Sequence, residues 1–290
     1  MFSINRESKI WIFITLLSLL IWTLYWTIPS SIERIIDILI TGQTFSNESN
    51  IGSMYVWMEI SGAIGTITRN IGIILGIIAL YLLSLKNKSF TEVKKLVSAA
   101  LFIEAFYYFM VGVPSGTFMT TIGYGGQFVT LGISYFLQFL FTTPFLVILG
   151  LQIHRNKQNE IRFLKWVGFA FIGYIAALWS NSVFRWFDMI SSDGLSVFFN
   201  GIRAVGSLNA FIGMSLAVIF SVVGFYYLQK SSKNTIKWAS LALIMIGLHY
   251  FIYLVYSYFG GMIGFVLIVE VWAIPLLGLG ISIFRDQTSK

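Results

Sequence analysis

Two stretches of sequence decide the fold of this chain: KLVSAALFIEAFYYF at residues 95–109 and KWASLALIMIGLHYF at residues 237–251. They share six identities, each 142 residues apart: Lys95, Ser98, Ala100, Leu101, Tyr108 and Phe109 match Lys237, Ser240, Ala242, Leu243, Tyr250 and Phe251. Further identities follow the same order along the chain: Ser31, Arg34 and Asp37 match Ser182, Arg185 and Asp188, Gly65, Ile71 and Gly72 match Gly206, Ile212 and Gly213, and Pro144 matches Pro275. Such a self-match indicates tandem duplication, and we predict two repeats, residues 1–158 and 159–290.

The composition indicates an integral membrane protein. Of the 290 residues, 57% are apolar and 11% are charged, and the mean hydropathy is +0.82. Soluble domains are less apolar, and the apolar residues here form runs of about the 20 residues that cross roughly 30 Å of hydrocarbon as a helix. We therefore predict an all-α membrane protein with eight transmembrane helices, four per repeat, at residues 10–29, 60–84, 96–114, 128–153, 165–183, 203–228, 238–258 and 262–284.

The basic residues predict the orientation in the membrane, because Lys and Arg in short loops are retained on the cytoplasmic side. In an eight-helix arrangement, all but four of the 19 Lys and Arg residues fall on one side. We predict a protein of the cytoplasmic (plasma) membrane with both termini in the cytoplasm. The net charge of +7 follows from this sidedness and from contact with anionic lipid, so no nucleic-acid partner is expected.

The number of helices per repeat predicts how the two repeats are related. Four is an even number, so the repeats should be parallel and related by an axis along the membrane normal. A cavity shared by both repeats would then form at the contact between them. Small residues would allow the helices to approach closely, and they lie at Gly62, Gly65, Gly72, Gly76, Gly206 and Gly213.

A short amphipathic helix is predicted at the outer interface after the first helix of each repeat. In the first repeat, Ser30 and Glu33 fit a capping box, and an apolar helical face follows. Segment 43–55 comes next and is predicted to be a polar, flexible loop with a glycosylation sequon at Asn47. In each copy of the helix an Arg and an Asp lie three residues apart. They form either a solvated pair that contributes little to stability or an outer-face gate. With one further Arg near this boundary, the predicted gate residues are Arg34, Asp37, Arg185, Asp188 and Arg203.

Ionisable residues at membrane depth are the main functional signal, because such groups are costly unless they are paired or hydrated. Arg69 and Glu104 lie at similar depth on adjacent predicted helices, where they form either a structural ion pair or part of a pathway. In the second repeat, His249 and Glu270 form a candidate proton-holding pair; alternatively, His249 is a neutral histidine bonded to a Tyr hydroxyl or a backbone carbonyl. Glu104 aligns with Ile246, so this polar chemistry is not duplicated. A single asymmetric site between the repeats would produce this divergence, as would relaxed packing.

One segment, Thr120-Thr121-Ile122-Gly123-Tyr124-Gly125, resembles the T-x-G-Y-G selectivity filter of potassium channels. A filter needs a preceding pore helix of about a dozen residues, but the third predicted span and its Pro114-Ser115-Gly116 exit use nearly all the residues before it. The segment is therefore predicted to be a tight outer turn. A cation channel is a minor alternative.

The sequence offers few templates for enzyme chemistry. It has no Cys and two His, and it lacks the H-E-x-x-H and G-x-S-x-G motifs. We predict no cofactor, no metal site and no catalytic residues, so an enzyme is the less favoured class. An outer-face enzyme acting on a lipid-linked substrate is an alternative, because Arg34, Arg185 and Arg203 could hold anionic oxygens while Asp37 or Asp188 acts as base.

The leading hypothesis is a multi-pass transporter that moves a small solute or ion, with possible proton coupling, through a pathway between the repeats. The predicted pathway residues are Arg69, Glu104, His249 and Glu270. Pro144 and Pro275, at matched positions of the two repeats, would be hinges, because proline bends a helix. A non-catalytic subunit or assembly factor is the other alternative. The expected partners are the bilayer, the solute or ion, and either another membrane protein or a second copy of the chain.

Overall fold

The computed structural model describes residues 6–22, 49–84, 86, 88–122, 126–155, 165–176, 201–228, 232–259 and 273–288, together with 24–25, 28–29, 32–33, 35–36, 179–180 and 183. Within these residues the protein is all-helical and has eight helices of twelve residues or more. In chain order they are α1 (Arg6–Trp22), α2 (Ser49–Ser84), α3 (Phe90–Ile122), α4 (Gly126–His154), α5 (Lys165–Ala176), α6 (Gly201–Tyr227), α7 (Ser232–Phe259) and α8 (Ala273–Thr288).

Four of the described helices, α2, α3, α4 and α7, contain segments that are long and apolar enough to cross a membrane. The other long apolar stretches of the described residues, in α5 and α6, are shorter. Length and apolar composition of this kind are typical of a helical membrane protein, and they agree with the predicted class.

The exposed face of α2 matches a lipid environment. Its exposed large apolar side chains recur at alternating spacings of three and four residues: Trp57, Ile60, Ile64, Ile67, Ile71, Ile74, Ile78 and Tyr81. Isoleucines fill the middle of this stripe and an aromatic residue stands at each end, as expected where Trp and Tyr occupy the two membrane interfaces. Trp57 and Tyr81 are 24 positions apart, which corresponds to about 36 Å of helix. This length is enough to cross the bilayer core with both aromatic residues at the interfaces.

The buried face of α2 carries the polar residues. Buried polar and charged side chains on this helix are Glu59, Ser61, Thr66, Arg69 and Asn70. A water-soluble protein would place apolar groups inside and polar groups outside. The reverse arrangement of α2 is stable where the surroundings are hydrocarbon, because polar groups then find their partners inside the protein.

Helices that follow one another in sequence pack together, in the order α2 on α3, α3 on α4, α6 on α7 and α7 on α8. The first helix joins the two ends of the chain: α1 packs on both α2 and α8, and the hydroxyls of Ser8 and Ser282 are 3.0 Å apart. The described part of α5 lies between α4 and α6. Phe169 stacks on Phe145 of α4 and also packs on Phe225 of α6.

The start of α3 shows a cap that its sequence encodes. The backbone N–H and the hydroxyl of Ser89 donate to one carboxylate oxygen of Glu92, at 2.7 and 3.0 Å, and Lys88 Nζ donates to the other at 2.8 Å. This carboxylate three residues into the helix satisfies a backbone donor that has no intrahelical partner. The bond from Lys88 and then those from Ser89 lower the pKa of Glu92 to about 2.

Two predicted boundaries are wrong. The second helix begins at Ser49 and not near residue 60, so the end of the predicted loop 43–55 is helical. The third helix continues through Pro114 to Ile122 and does not end at residue 114. Both extensions lie at the same end of the α2 and α3 pair, where the rings of Tyr55 and Phe118 pack 5.4 Å apart. Contact between the two helices therefore stabilises helical turns beyond the most apolar segment.

Threonine hydroxyls that follow Pro114 donate to backbone carbonyls of their own helix, α3. Thr117 Oγ1 donates to the carbonyl of Val113 at 2.8 Å, and Thr120 Oγ1 donates to that of Gly116 at 2.7 Å. The predicted outer-interface helices lie mostly outside the described residues, although Ile32, Glu33, Ile35 and Ile36 are helical.

Candidate functional site

The buried ion pair between Arg69 of α2 and Glu104 of α3 is the centre of the candidate site. Arg69 Nη2 lies 3.0 Å from one carboxylate oxygen of Glu104, and Arg69 Nε donates to the other oxygen at 3.2 Å. Two parallel bonds between a guanidinium and a carboxylate form the strongest kind of ion-pair geometry in proteins. The sequence predicted these two residues as partners, and the structure brings them together.

The depth of the pair follows from the lipid-facing stripe of α2. Arg69 lies 12 residues from Trp57 and 12 residues from Tyr81, which is about 18 Å of helix in each direction. The short connection 85–89 joins the end of α2 to the start of α3. Arg69 lies 15 residues before Ser84 and Glu104 lies 14 residues after Phe90, so both are about 21 to 23 Å of helix from this connection. The ion pair therefore lies close to the middle of the apolar stripe of α2.

Glycines of α2 allow the two helices to approach around the pair. A side chain at Gly72 would come within 2.9 Å of Ile103 Cγ2, and one at Gly65 would come within 3.1 Å of Met110 Cβ. Close backbone approach at small residues is how membrane helices associate. The same approach brings the side chains of Arg69 and Glu104 within bonding distance.

Three tyrosines lie near the ion pair, and the sequence did not identify them as site residues. The Arg69 guanidinium carbon lies 4.3 Å from the centre of the Tyr107 ring, a cation–π contact. Tyr108 and Tyr174 are half-buried and lie close enough to Arg69 and Glu104 to interact with them electrostatically. Tyr107 and Tyr108 follow Glu104 by three and four residues and thus share its helix face, a signal that the sequence does contain. Tyr174 comes from α5, so no local pattern could reveal it.

The two charges differ in their exposure. The Arg69 side chain is 11% exposed and that of Glu104 is 25% exposed, so the carboxylate is the more accessible member. A carboxylate that faced hydrocarbon at this depth would be strongly destabilised.

In the second half of the chain, His249 of α7 is buried and pairs with Asn209 of α6. The Asn209 amide donates to the backbone carbonyl of His249 at 2.9 Å and lies 3.3 Å from His249 Nδ1. The His249 ring also packs edge-on against Tyr250. Asn209 is a partner that the sequence analysis missed, although a polar residue within an apolar helix could have indicated it. Glu270, the predicted partner, lies outside the described residues.

The other predicted site residues remain apart from this cluster or lie outside the described residues. Pro144 is exposed within α4, and Pro275 is buried near the start of the described part of α8. The predicted hinge role of both prolines stays a prediction. Of the predicted outer-face gate, Arg203 belongs to α6, but its side chain is not described; the residues that lie outside the described ones are Arg34, Asp37, Arg185 and Asp188.

Two further predictions concern ions. Thr120, Thr121 and Ile122 belong to α3 and are helical, so this part of the filter-like segment does not have the extended backbone that would line a filter. Among the described side chains, no group of three or more His, Cys, Asp or Glu residues could hold a metal ion.

Searches against known proteins give no assignment for this chain. No protein-family model, no curated protein and no solved structure matches it. Hypotheses about its function therefore depend on the geometry of the buried cluster.

Proposed function

We propose that this chain is a membrane transporter that moves a small solute or ion through a pathway between two four-helix repeats, and that the Arg69–Glu104 pair is part of that pathway. The observation that carries the proposal is a charged pair near mid-membrane, surrounded by tyrosines from both halves of the chain. Charged groups at this depth are rare in membrane proteins and usually mark an ion or substrate route.

The packing order supports two related repeats. In the first half α2 packs on α3 and α3 on α4, and in the second half α6 packs on α7 and α7 on α8. The first helix contacts α2 and α8, while α5 contacts α4 and α6 through Phe169 and its neighbours. The first helix of each repeat, α1 or α5, thus contacts the next helix of its own repeat and the last helix of the other repeat. A two-fold axis along the membrane normal would produce this exchange of contacts.

Polar groups on α4 support a hydrated route through the same half. Thr142 Oγ1 and Gln152 Oε1 are buried and have no hydrogen-bond partner within the protein among the described residues. Buried polar atoms of this kind are normally satisfied by internal water. Thr142 is 12 residues from His154 at the end of α4, or about 18 Å of helix, so its depth is similar to that of the ion pair.

The proposal is tested by solute and proton flux in proteoliposomes that contain the intact chain. Glu104→Gln keeps the size of the side chain and removes its charge, so it should abolish flux. Glu92→Gln makes the same change at the exposed end of the same helix and is the matched control, which should retain flux. Glu270→Gln tests the predicted residue of the second half in the same assay.

A second variant separates loss of function from loss of folding. Arg69→Lys keeps the positive charge but cannot reproduce the two parallel bonds to Glu104, so it should reduce flux in a protein that remains folded, as checked by thermal unfolding in detergent. Equal flux in the wild type, Glu104→Gln and Arg69→Lys would contradict the proposal. No flux of any solute across a broad panel would also contradict it.

A further inference from the structure

The guanidinium of Arg69 is arranged to hold a planar carboxylate, and Glu104 occupies that position in the structure. Arg69 Nη2 and Nε each contact one oxygen of the Glu104 carboxylate, and the Tyr107 ring covers one face of the guanidinium at 4.3 Å. A free carboxylate of similar size could form the same two bonds, because the fork of an arginine recognises the planar group and not the chain behind it.

From this geometry we infer that the substrate is a small monovalent carboxylate, which replaces Glu104 on Arg69 when Glu104 binds a proton. This inference rests on the proposed transport function and specifies its substrate class. The exchange breaks two charge-assisted bonds between Arg69 and Glu104 and forms two equivalent bonds to the incoming anion. The proton stays on the Glu104 carboxyl group.

Charge balance explains why the proton and the anion should bind together. The empty site holds one positive and one negative charge and is neutral. If an anion bound alone, the site would carry a net negative charge, and if a proton bound alone, it would carry a net positive charge. Either state is strongly disfavoured at mid-membrane. One proton with one monovalent anion restores neutrality, so the expected coupling is one to one.

The groups that face Glu104 do not change this balance. Arg69 contributes from α2, Tyr107 and Tyr108 from α3 itself, and Tyr174 from α5. The fourth helix also packs on α3, and there Thr143 Oγ1, which does not titrate, lies 3.4 Å from the carbonyl of Ala105. Tyrosine hydroxyls are neutral near pH 7, so the charge of this cluster is set by Arg69 and Glu104.

Exposure indicates which group moves. Glu104 is more than twice as exposed as Arg69, so an incoming anion or a proton reaches the carboxylate side of the pair first. The enclosed guanidinium keeps its place under the Tyr107 ring. The expected exchange is therefore a rotation of Glu104 away from a fixed Arg69.

The experiment measures acetate binding to the purified full-length chain in detergent, at fixed sodium chloride concentration, with acetamide as the neutral control of the same shape. Binding is followed by the shift of the thermal unfolding midpoint, and proton uptake is followed with a pH indicator in weak buffer. Between about pH 6 and 8, where acetate stays ionised, the wild type should bind acetate about tenfold more tightly for each unit that the pH falls. It should take up one proton per acetate, and acetamide should have no effect.

Two variants complete the test. Glu104→Gln imitates the protonated carboxyl group, so it should bind acetate with no pH dependence and no proton uptake. The double variant Arg69→Gln with Glu104→Gln has no charge at this site and should not bind acetate. If Glu104→Gln fails to fold, the number of protons that the wild type takes up per acetate still tests whether the anion and a proton bind together.

The outcomes separate this inference from the proposed function. Acetate that shifts the wild type and the double variant equally, or that binds the wild type without proton uptake, would overturn the inference. Flux of a cation or neutral solute that requires Glu104, without acetate binding, would support transport and overturn the substrate class. Acetate binding as expected, without flux of acetate or any other solute, would support the anion site and overturn transport.

Discussion

The two halves of the chain use the same kind of close packing but different polar chemistry. In the first half, a side chain at Gly150 of α4 would meet the Phe102 ring of α3 at 2.8 Å; in the second half, one at Gly280 of α8 would meet Ile244 of α7 at 2.7 Å. Phe102 and Ile244 are 142 residues apart, the spacing of the aligned stretches. A glycine therefore faces an aligned position in both halves, although only the first half has a described buried ion pair.

The polar groups differ between the halves two and five residues further along the same helices, after Phe102 and Ile244. Glu104 of α3 aligns with Ile246 of α7, and Tyr107 aligns with His249. The first half therefore places a charged pair where the second half places a neutral amide bonded to a histidine backbone carbonyl. Packing positions tolerate little change because backbones touch there, whereas polar positions differ between the halves. Among the described residues, the buried ion pair therefore belongs to the first half.

The largest expected effect comes from breaking the ion pair on one side only. Glu104→Gln leaves a buried guanidinium that cannot lose its charge, and it should lower the free energy of unfolding by about 3 to 5 kcal/mol. Arg69→Gln should cost less, since Glu104 can bind a proton and become neutral. Chemical unfolding in mixed micelles measures both.

Asn209→Ala is the comparison in the second half. It removes neutral hydrogen bonds and should cost about 1 to 3 kcal/mol. If Asn209→Ala were as costly as Glu104→Gln, the two halves would not differ in the way that their polar groups indicate.

The next effect concerns the shared packing. Gly132→Ala in α4 and Gly247→Ala in α7 would place a methyl group 2.6 Å from Thr120 Cγ2 and 2.7 Å from Leu277 N. Overpacking of this kind costs about 1 to 3 kcal/mol, so both variants should have lower thermal unfolding midpoints. Gly62→Ala is the control, because nothing lies within 4 Å of its added carbon. Equal midpoints for all three variants would contradict the packing described here.

A smaller effect should separate two aligned serines. The Ser98 hydroxyl donates across the helix contact to the carbonyl of Gly150 at 2.8 Å, whereas the Ser240 hydroxyl donates within its own helix to that of Lys237 at 2.7 Å. Ser98→Ala should therefore cost about 1 kcal/mol, and Ser240→Ala should cost less. Unfolding free energies of the two variants test this difference. A larger cost for Ser240→Ala would contradict the conclusion that the bond between helices contributes more than the bond within one helix.

The smallest expected effect is the pH dependence of the α3 cap. Because the pKa of Glu92 is lowered to about 2, its contribution to stability is present above the ordinary carboxyl value of about 4.5 and is lost as the pH falls toward 2. Glu92→Gln should thus be slightly less stable than the wild type at pH 7, and the gap should narrow below about pH 4.5. Unfolding midpoints measured across this range test it; a constant gap would show that the carboxylate charge does not contribute.

The sequence predicted the helical class and the Arg69–Glu104 pair, but it misplaced two helix ends. Hydropathy marks the segment that hydrocarbon surrounds, and it has no information about turns held by contacts such as that of Tyr55 with Phe118. The partner of His249 was missed for a related reason. A histidine buried between helices takes the nearest polar group, here Asn209, and sequence distance does not indicate which group that is.

The sequence by itself determined that this is a helical membrane protein and that Arg69 and Glu104 lie at similar depth, because apolar runs and helix rise fix both. Only the tertiary structure decided that α1 contacts both α2 and α8, and that Tyr174 of α5 lies within electrostatic range of the ion pair. Contacts between helices far apart in sequence depend on which small residues allow close approach. That choice is made by the packing of the whole bundle, whereas hydropathy and helix rise act along one helix at a time.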